Sequence, residues 1–384
     1  MVHSLDVYLY SVHEVPVWAP VLGPLRSRGI DARFVLEPPG RNIARGSSPD
    51  PQRGWLDLKR ERLVDLVDGP TEELIRRELA TIGEQPLRRR RPGSAGATTQ
   101  GSAWLRPYAG ARIRLMYGVA LVTDAYGHGP VNDGFDVVLA HGPFSAAAIV
   151  RAVPGAQVAV VGFPKWAAYR RGETSREEAR QRLGLDDARR PVLAWLPTWA
   201  HNSSLDDSEA LVALAGDFQV VMKPHHNSFK FEAARLEGIG AGVRVLPVTV
   251  SIVDVMVAAD VIVSDVRSGG FTEGLLADRP VIGLAQPGPE SRAALHPAAA
   301  EVADVCHDTR ALPALALRAV DGDPHRDGRR RWVPELFGAT GGADADLAAD
   351  AIVAAISRRP STRRRAIGAA AWSSAHRVSR LVRR

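Results

Sequence analysis

The chain of 384 residues holds a single cysteine, Cys306. One thiol excludes an internal disulfide and a cysteine-built zinc cluster, and it agrees with a reducing compartment. His307 follows it directly, and adjacent side chains point apart on most backbones, so a Cys-His catalytic pair is not expected. No window approaches the ~20 uninterrupted apolar residues of a membrane span. The opening MVHSLDVYLY lacks the basic start, long apolar run and small-residue cleavage site of a signal peptide, which makes the cytoplasm the expected location. G-x-S-x-G, H-E-x-x-H and G-x-x-x-x-G-K-[ST] are all missing, removing the usual serine-hydrolase, zincin and P-loop readings. No short repeat is present, which disfavours a solenoid. Lysine is scarce, with four among 49 basic side chains, and two of the four, Lys223 and Lys230, flank one short segment, KPHHNSFK.

What is present is the composition of a globular protein, with 45% hydrophobic and 24% charged residues and a length that fits two domains. LDVYLYSVHEVPVWAPVLGPLRSRGIDARFVLEPPG reads as strand, loop, helix, Gly turn and strand, the start of a parallel sheet. A helix is expected around TEELIRRELATIG, ending in a solvated arginine run from Arg88 to Arg91, and PGSAGATTQGS reads as a loop. Strands recur at RIRLMYG, FDVVLAHG and AQVAVVGFP. TSREEARQRLGL is a helix with Thr174 as cap and Glu177 in the capping-box position. Beyond it, strands PVLAWLP, FQVVMKP, VRVLPV, VIVSDV and PVIGLAQ alternate with helical segments. Continuous apolar runs without in-out alternation belong to a parallel sheet covered on both faces. The expected fold class is α/β, two Rossmann-like domains in tandem, with boundaries at 1–170 and 171–345 and a C-terminal segment at 346–384. In that segment Ile367, Ala371, Ala375, Val378, Leu381 and Val382 share one arc of a helical wheel, opposite Arg377, Arg380, Arg383 and Arg384. Such a basic amphipathic helix suits an anionic membrane surface; a solvated tail, or a helix docked on the second domain, fits equally.

Ligands of open parallel sheets sit at the carboxyl ends of the strands. After PVLAWL come Pro197, Thr198 and Trp199; after FQVVM come Lys223, Pro224, His225 and His226; after VIVSD come Val266, Arg267, Ser268, Gly269 and Gly270, with Glu273 in the helix that follows. Gly269 and Gly270 permit close backbone approach, Ser268 can cap the helix or donate to a phosphate, and a merely capped helix explains the same residues. Lys223 and Arg267 on the same rim favour a phosphate. There His225 has two possible tasks, donating to charge on a departing group or transferring a proton. His226 is read as structural. In the first half, Asp124, His128 and His141 lie close in sequence and are candidates to face an acceptor.

These residues resemble the CDP-glycerol glycerophosphotransferase family of teichoic acid-type polymer synthesis. The family's strand followed by Pro-Thr-Trp matches Pro197-Thr198-Trp199, its Lys-Pro-His matches Lys223-Pro224-His225, and its strand ending Ser-Asp matches Ser264-Asp265 with Ser268. Its "kPvi" strand matches Arg279-Pro280-Val281-Ile282, and Gly162-Phe163-Pro164-Lys165 resembles the connection between its halves. Order and spacing agree over about 120 residues. Where the family carries His-Gly this chain has Tyr117-Gly118, and where it carries Tyr-Ser-Ser this chain has Arg267-Ser268-Gly269-Gly270, closer to the Ser-Gly-Gly of nucleotide-sugar 2-epimerases.

The resemblance implies a GT-B arrangement of two Rossmann-like domains facing across a cleft, acceptor in 1–170 and nucleotide donor in 171–345. It implies transfer of glycerophosphate, or a similar polyol phosphate, from CDP-glycerol to a lipid-linked or glycan hydroxyl in cell-envelope polymer synthesis. His225, Asp124 and His128 are then the catalytic candidates, and Thr198, Lys223, Arg267, Ser268, Gly269, Gly270, Glu273, Tyr117 and Gly118 the binding ones. No cofactor, metal or nucleic-acid partner is expected. The rival expectations are a glycosyltransferase or epimerase using a nucleotide sugar, and a nucleotide-binding protein without turnover.

Overall fold

The computed structural model describes residues 3–36, 69–87, 89, 91, 93–105, 108–122, 132, 134–185, 190–199, 203–285 and 294–358. They form two compact units. The described residues up to Tyr117, those between Asn132 and Ala167, and those from Ala343 onward make the first; Gly118–Val122 and Ala168–Gly342 make the second.

The first unit is a six-stranded, wholly parallel sheet. Its strands are β1 (His3–Tyr8), β2 (Ile30–Val35), β3 (Ala95–Thr98), β4 (Arg112–Leu115), β5 (Val137–Ala140) and β6 (Val158–Val160). Their spatial order is β2-β1-β3-β4-β5-β6, so the order reverses between β1 and β3. β3 overturns the expected loop at PGSAGATTQGS. Its four residues are small and fully buried, and a Cβ on Gly96 would stand 2.6 Å from the Tyr108 ring and 3.1 Å from Leu105. The ring of Tyr108 thus fills the space a strand side chain normally occupies, and burial comes from neighbours rather than from the strand's own apolar content.

The helix α1 (Val15–Ser27) buries Val17, Trp18, Val21, Leu22 and Leu25, a stripe at helical spacing. Against it packs the chain's last described helix (Asp344–Ser357), whose buried residues are mostly alanine and let the two backbones approach. Arg28 bridges to Asp346 at 3.1 Å and Asp350 at 2.6 Å, and the buried Asp344 accepts the Phe163 N–H at 2.7 Å. Arg91 is not part of a solvated run: its backbone N–H and Nε reach the fully buried Asp6 at 2.7 and 3.0 Å, beside Arg33 Nε at 2.9 Å. A buried carboxylate is stable only when paired in this way.

The second unit is also a parallel six-stranded sheet, of β7 (Val192–Leu196), β8 (Gln219–Met222), β9 (Val243–Val245), β10 (Val261–Asp265), β11 (Val281–Leu284) and β12 (Asp304–Cys306). The order β12-β11-β10-β7-β8-β9 is that of a dinucleotide-binding Rossmann sheet, with its reversal between β7 and β10. The helix before β7 (Arg176–Leu183) starts one residue later than expected. Ser175 Oγ, rather than Thr174, accepts from Glu178 N at 3.1 Å, and Glu178 Oε2 accepts from Ser175 N at 2.8 Å. Among the described residues no helix is long and apolar enough to cross a membrane. The proposed amphipathic helix at 367–382 lies outside the described residues, as do Asp124 and His128.

Candidate functional site

In the second unit, sheet order sets β10, β7 and β8 side by side, so the segments after them, singled out by residue type, share one rim. Three hydrogen bonds lock the rim across the switch point. Ser264 Oγ donates to Leu196 O at 2.9 Å, and the Asp265 carboxylate accepts from Thr198 N at 2.5 Å and Ser204 N at 2.9 Å. Asp265 is buried, and that desolvation pushes its carboxyl up to about 7. Trp195 Nε1 donates to Ser204 Oγ at 2.9 Å and Ser203 Oγ to Thr198 O at 2.8 Å, so the Pro-Thr-Trp loop is held from both sides.

Ser268 is an N-cap: its Oγ accepts from Phe271 N at 3.0 Å and lies 3.0 Å from Ser264 Oγ. The helix it starts, Gly269–Gly274, buries Glu273 and leaves Gly269 and the preceding Arg267 exposed. The two glycines are not equivalent. A Cβ on Gly270 would meet Ser264 Oγ at 3.2 Å and Ser268 Oγ at 3.5 Å, whereas on Gly269 the nearest atom is Val119 O at 3.9 Å.

His225 caps the short helix His226–Phe231, its Nδ1 accepting from Asn227 N at 3.2 Å. With Nδ1 an acceptor, the neutral ring carries its proton on Nε2. Of the two tasks open to it, this favours donation toward a departing anion. Trp199 stacks on the ring, centroids 6.0 Å apart at 14°, and His226 lies 4.0 Å away on the other histidine contact. Lys223 stands at the rim but is nearly buried, and Nζ donates to Pro247 O at 3.2 Å and Val248 O at 2.9 Å. Its visible work is to tie the end of β8 to the loop after β9.

The first unit's rim contains a cluster that residue patterns alone did not single out. Glu14, fully buried, accepts from Tyr10 N at 2.7 Å and from Gln100 Nε2 at 3.1 Å, and Thr99 Oγ1 donates to the same carboxylate. Burial pushes Glu14 up to about 7, against the lowering effect of these donors. Burial and the neighbouring Glu14 likewise push the Tyr10 phenol up. Tyr117 is 38% exposed, its ring edge-on to His13 with centroids 4.8 Å apart. His141 does not face a ligand: it is buried, Nδ1 bonds Gly162 O at 2.9 Å, the ring lies 4.1 Å from Phe163, and burial lowers it to about 4.

No protein-family model matches the chain, and no curated protein matches it. Solved structures do. A variant of the wall teichoic acid polymerase TagF aligns with a TM-score of 0.59 at 11% identity, over 92% of this chain and 89% of that one. UDP-N-acetylglucosamine 2-epimerase from Rickettsia bellii aligns at 0.53 and 13% identity, over 93% and 96%. A co-structure of S. aureus MnaA with UDP aligns at 0.52 and 12% identity, over 94% and 99%. These likenesses establish the fold class, α/β and GT-B-like with two Rossmann-like units.

Proposed function

We propose that the chain is a transferase acting on a nucleotide-activated donor, moving glycerophosphate or a similar polyol phosphate from CDP-glycerol to an acceptor hydroxyl on a lipid-linked or glycan polymer. The observation that supports this reading is the second unit's switch point, where His225, with its proton on Nε2, shares a rim with Arg267, Ser268 and Gly270. The TagF structures carry weight beside it because two of them were soaked with CDPG. In this reading Arg267 and the Ser268 turn hold the pyrophosphate and Glu273 the nucleoside. His225 donates from Nε2 to the phosphate oxygen that gains charge as CMP leaves. Lys223 positions the His225 loop through its two carbonyl bonds. The expected cytoplasmic location and the contact of the C-terminal segment with anionic lipid belong to the same proposal.

The Ser-Gly-Gly turn favours a second reading, a nucleotide-sugar epimerase or glycosyltransferase on the same site. Incubation with CDP-glycerol and with UDP- and GDP-sugars, following release of CMP, UDP or GDP and epimerisation of the nucleotide sugar, separates the two. CMP release dependent on CDP-glycerol and lowered about 10²-fold in His225→Ala, with a far smaller effect of His226→Ala, is the expected result. Release of UDP or GDP alone, or conversion of a nucleotide sugar to its epimer, would transfer the assignment to the second reading, and equal losses from both histidines would make this segment structural.

A further inference from the structure

At the first unit's rim three strand ends meet. The loop after β1 contributes Tyr10, Ser11, His13 and Glu14; the end of β3 contributes Thr99 and Gln100; β4 and its end contribute Arg114 and Tyr117. This is the position at which the strand order reverses, where open α/β sheets take their ligands. Arg114 is anchored there, its Nε donating to Thr99 O at 3.4 Å and Nη1 to Asn132 Oδ1. Here Glu14, Ser11 and Thr99 are buried, while Tyr10, His13, Gln100 and Tyr117 keep part of their surface in solvent.

Within this cluster His13 is held in a way that suits proton transfer. Its Nδ1 lies 2.5 Å from Ser11 Oγ, and Tyr117 and Tyr10 approach the ring edge-on at centroid distances of 4.8 and 6.1 Å. When Nδ1–H donates to Ser11 Oγ, Nε2 is the basic nitrogen. Below it, Glu14 grips the backbone N–H of Tyr10 at 2.7 Å and also that of Ser11, so the turn that carries the imidazole is pinned from inside the core.

We propose that His13 is the general base for the acceptor hydroxyl and that the rim formed by Tyr10, His13, Gln100, Arg114 and Tyr117 binds a polyol-phosphate acceptor. The inference rests on the transferase reading above. It supplies a base at the rim where Tyr117 stands in place of the His of the family's His-Gly pair. In the transfer step the acceptor oxygen forms a bond to the glycerol-bearing phosphorus, and the bond from that phosphorus to the bridging oxygen breaks. The bonding electrons leave with CMP, the hydroxyl proton passes to His13 Nε2, and the imidazolium returns it to solvent. Ser11 and Glu14 are positioning residues: they orient the ring and do not touch the substrate. Tyr117 supplies a ring wall against which the imidazole is held edge-on.

Two measurements on the full-length protein test the proposal. In His13→Gln, or His13→Asn if the first folds poorly, transfer to a polyol-phosphate acceptor should fall by about 10²-fold or more. Calorimetric affinity for CDP-glycerol should stay unchanged, because the donor residues lie in the other unit. In the second, the histidine Cε1–H resonance that disappears in His13→Gln is followed in wild type while glycerol 3-phosphate is added to millimolar concentration without donor; it should shift. Turnover near that of wild type in His13→Gln, joint loss of donor affinity and turnover, or an unmoved His13 resonance would each overturn the proposal. Wild-type protein that does not bind CDP-glycerol would sink the transferase reading instead, and the resonance experiment would still decide whether this rim takes a polyol phosphate.

Discussion

Glu14→Gln should remove most of one specific pH dependence of folding. The Glu14 carboxyl is buried at the end of β1, and burial raises it from 4.5 to about 7 in the folded chain. The folded state therefore holds this proton more tightly than the unfolded state does. Its contribution to stability is complete below about pH 4.5 and is lost as pH rises through about 7. The rise from 4.5 to about 7, at ~1.36 kcal/mol for each tenfold change in proton affinity, amounts to about 3 kcal/mol. Glutamine is the right replacement because its amide oxygen can still accept from the Tyr10 and Ser11 N–H groups. Its NH₂ would face Thr99 and Gln100, whose hydroxyl and amide can both turn to accept. Urea unfolding of wild type and Glu14→Gln at about pH 4.5 and about pH 8 gives the difference of differences. The variant should gain about 3 kcal/mol on wild type across that interval. Asp265, in the other unit, is also raised to about 7 and adds its own slope, but it is common to both proteins and cancels. An identical pH dependence in the two proteins would show that Glu14 is ionised in the folded state, and that its environment is far more polar than its burial implies.

At the donor rim, Gly270→Ala should weaken CDP-glycerol binding about tenfold or more, since its Cβ would press on Ser264 Oγ at 3.2 Å and intrude on the turn. Gly269→Ala, with nothing nearer than 3.9 Å, should bind donor well and stabilise the helix by about 0.5 kcal/mol; equal behaviour of the two variants in calorimetry and thermal melting would refute the distinction. Lys223→Met removes two bonds to Pro247 O and Val248 O and should cost roughly 2 kcal/mol of stability in thermal unfolding, with donor affinity falling only modestly. A collapse of affinity at unchanged melting temperature would instead make Lys223 a direct phosphate ligand.

Why the donor rim was legible and the acceptor rim was not follows from where each gets its partners. β7, β8 and β10 are continuous apolar runs, so VLAWL, QVVM and VIVSD announce themselves as buried strands, and the residues at their ends stand out by type. β3 makes no such announcement, because its four residues Ala95–Thr98 are buried by Tyr108 and Leu105 rather than by bulk of their own. A chain read without β3 has β4 beside β1, and the reversal of strand order then has no Thr99 or Gln100 at its edge. Glu14 in that reading is an ordinary acid in the first turn of a helix, solvated and unremarked. Only the placement of β3 against β1, pairing Leu5 with Ala95 and Val7 with Ala97, brings a hydroxyl and an amide from 85 and 86 positions away onto its carboxylate. Lys223 shows the same limit from the other side. Residue type marked it as a phosphate ligand, but the carbonyls that take its ammonium lie 24 and 25 residues downstream, where no local pattern records them. Residue type and spacing thus identify chemistry that a strand end presents to a ligand; they do not show when a neighbouring segment has already claimed it.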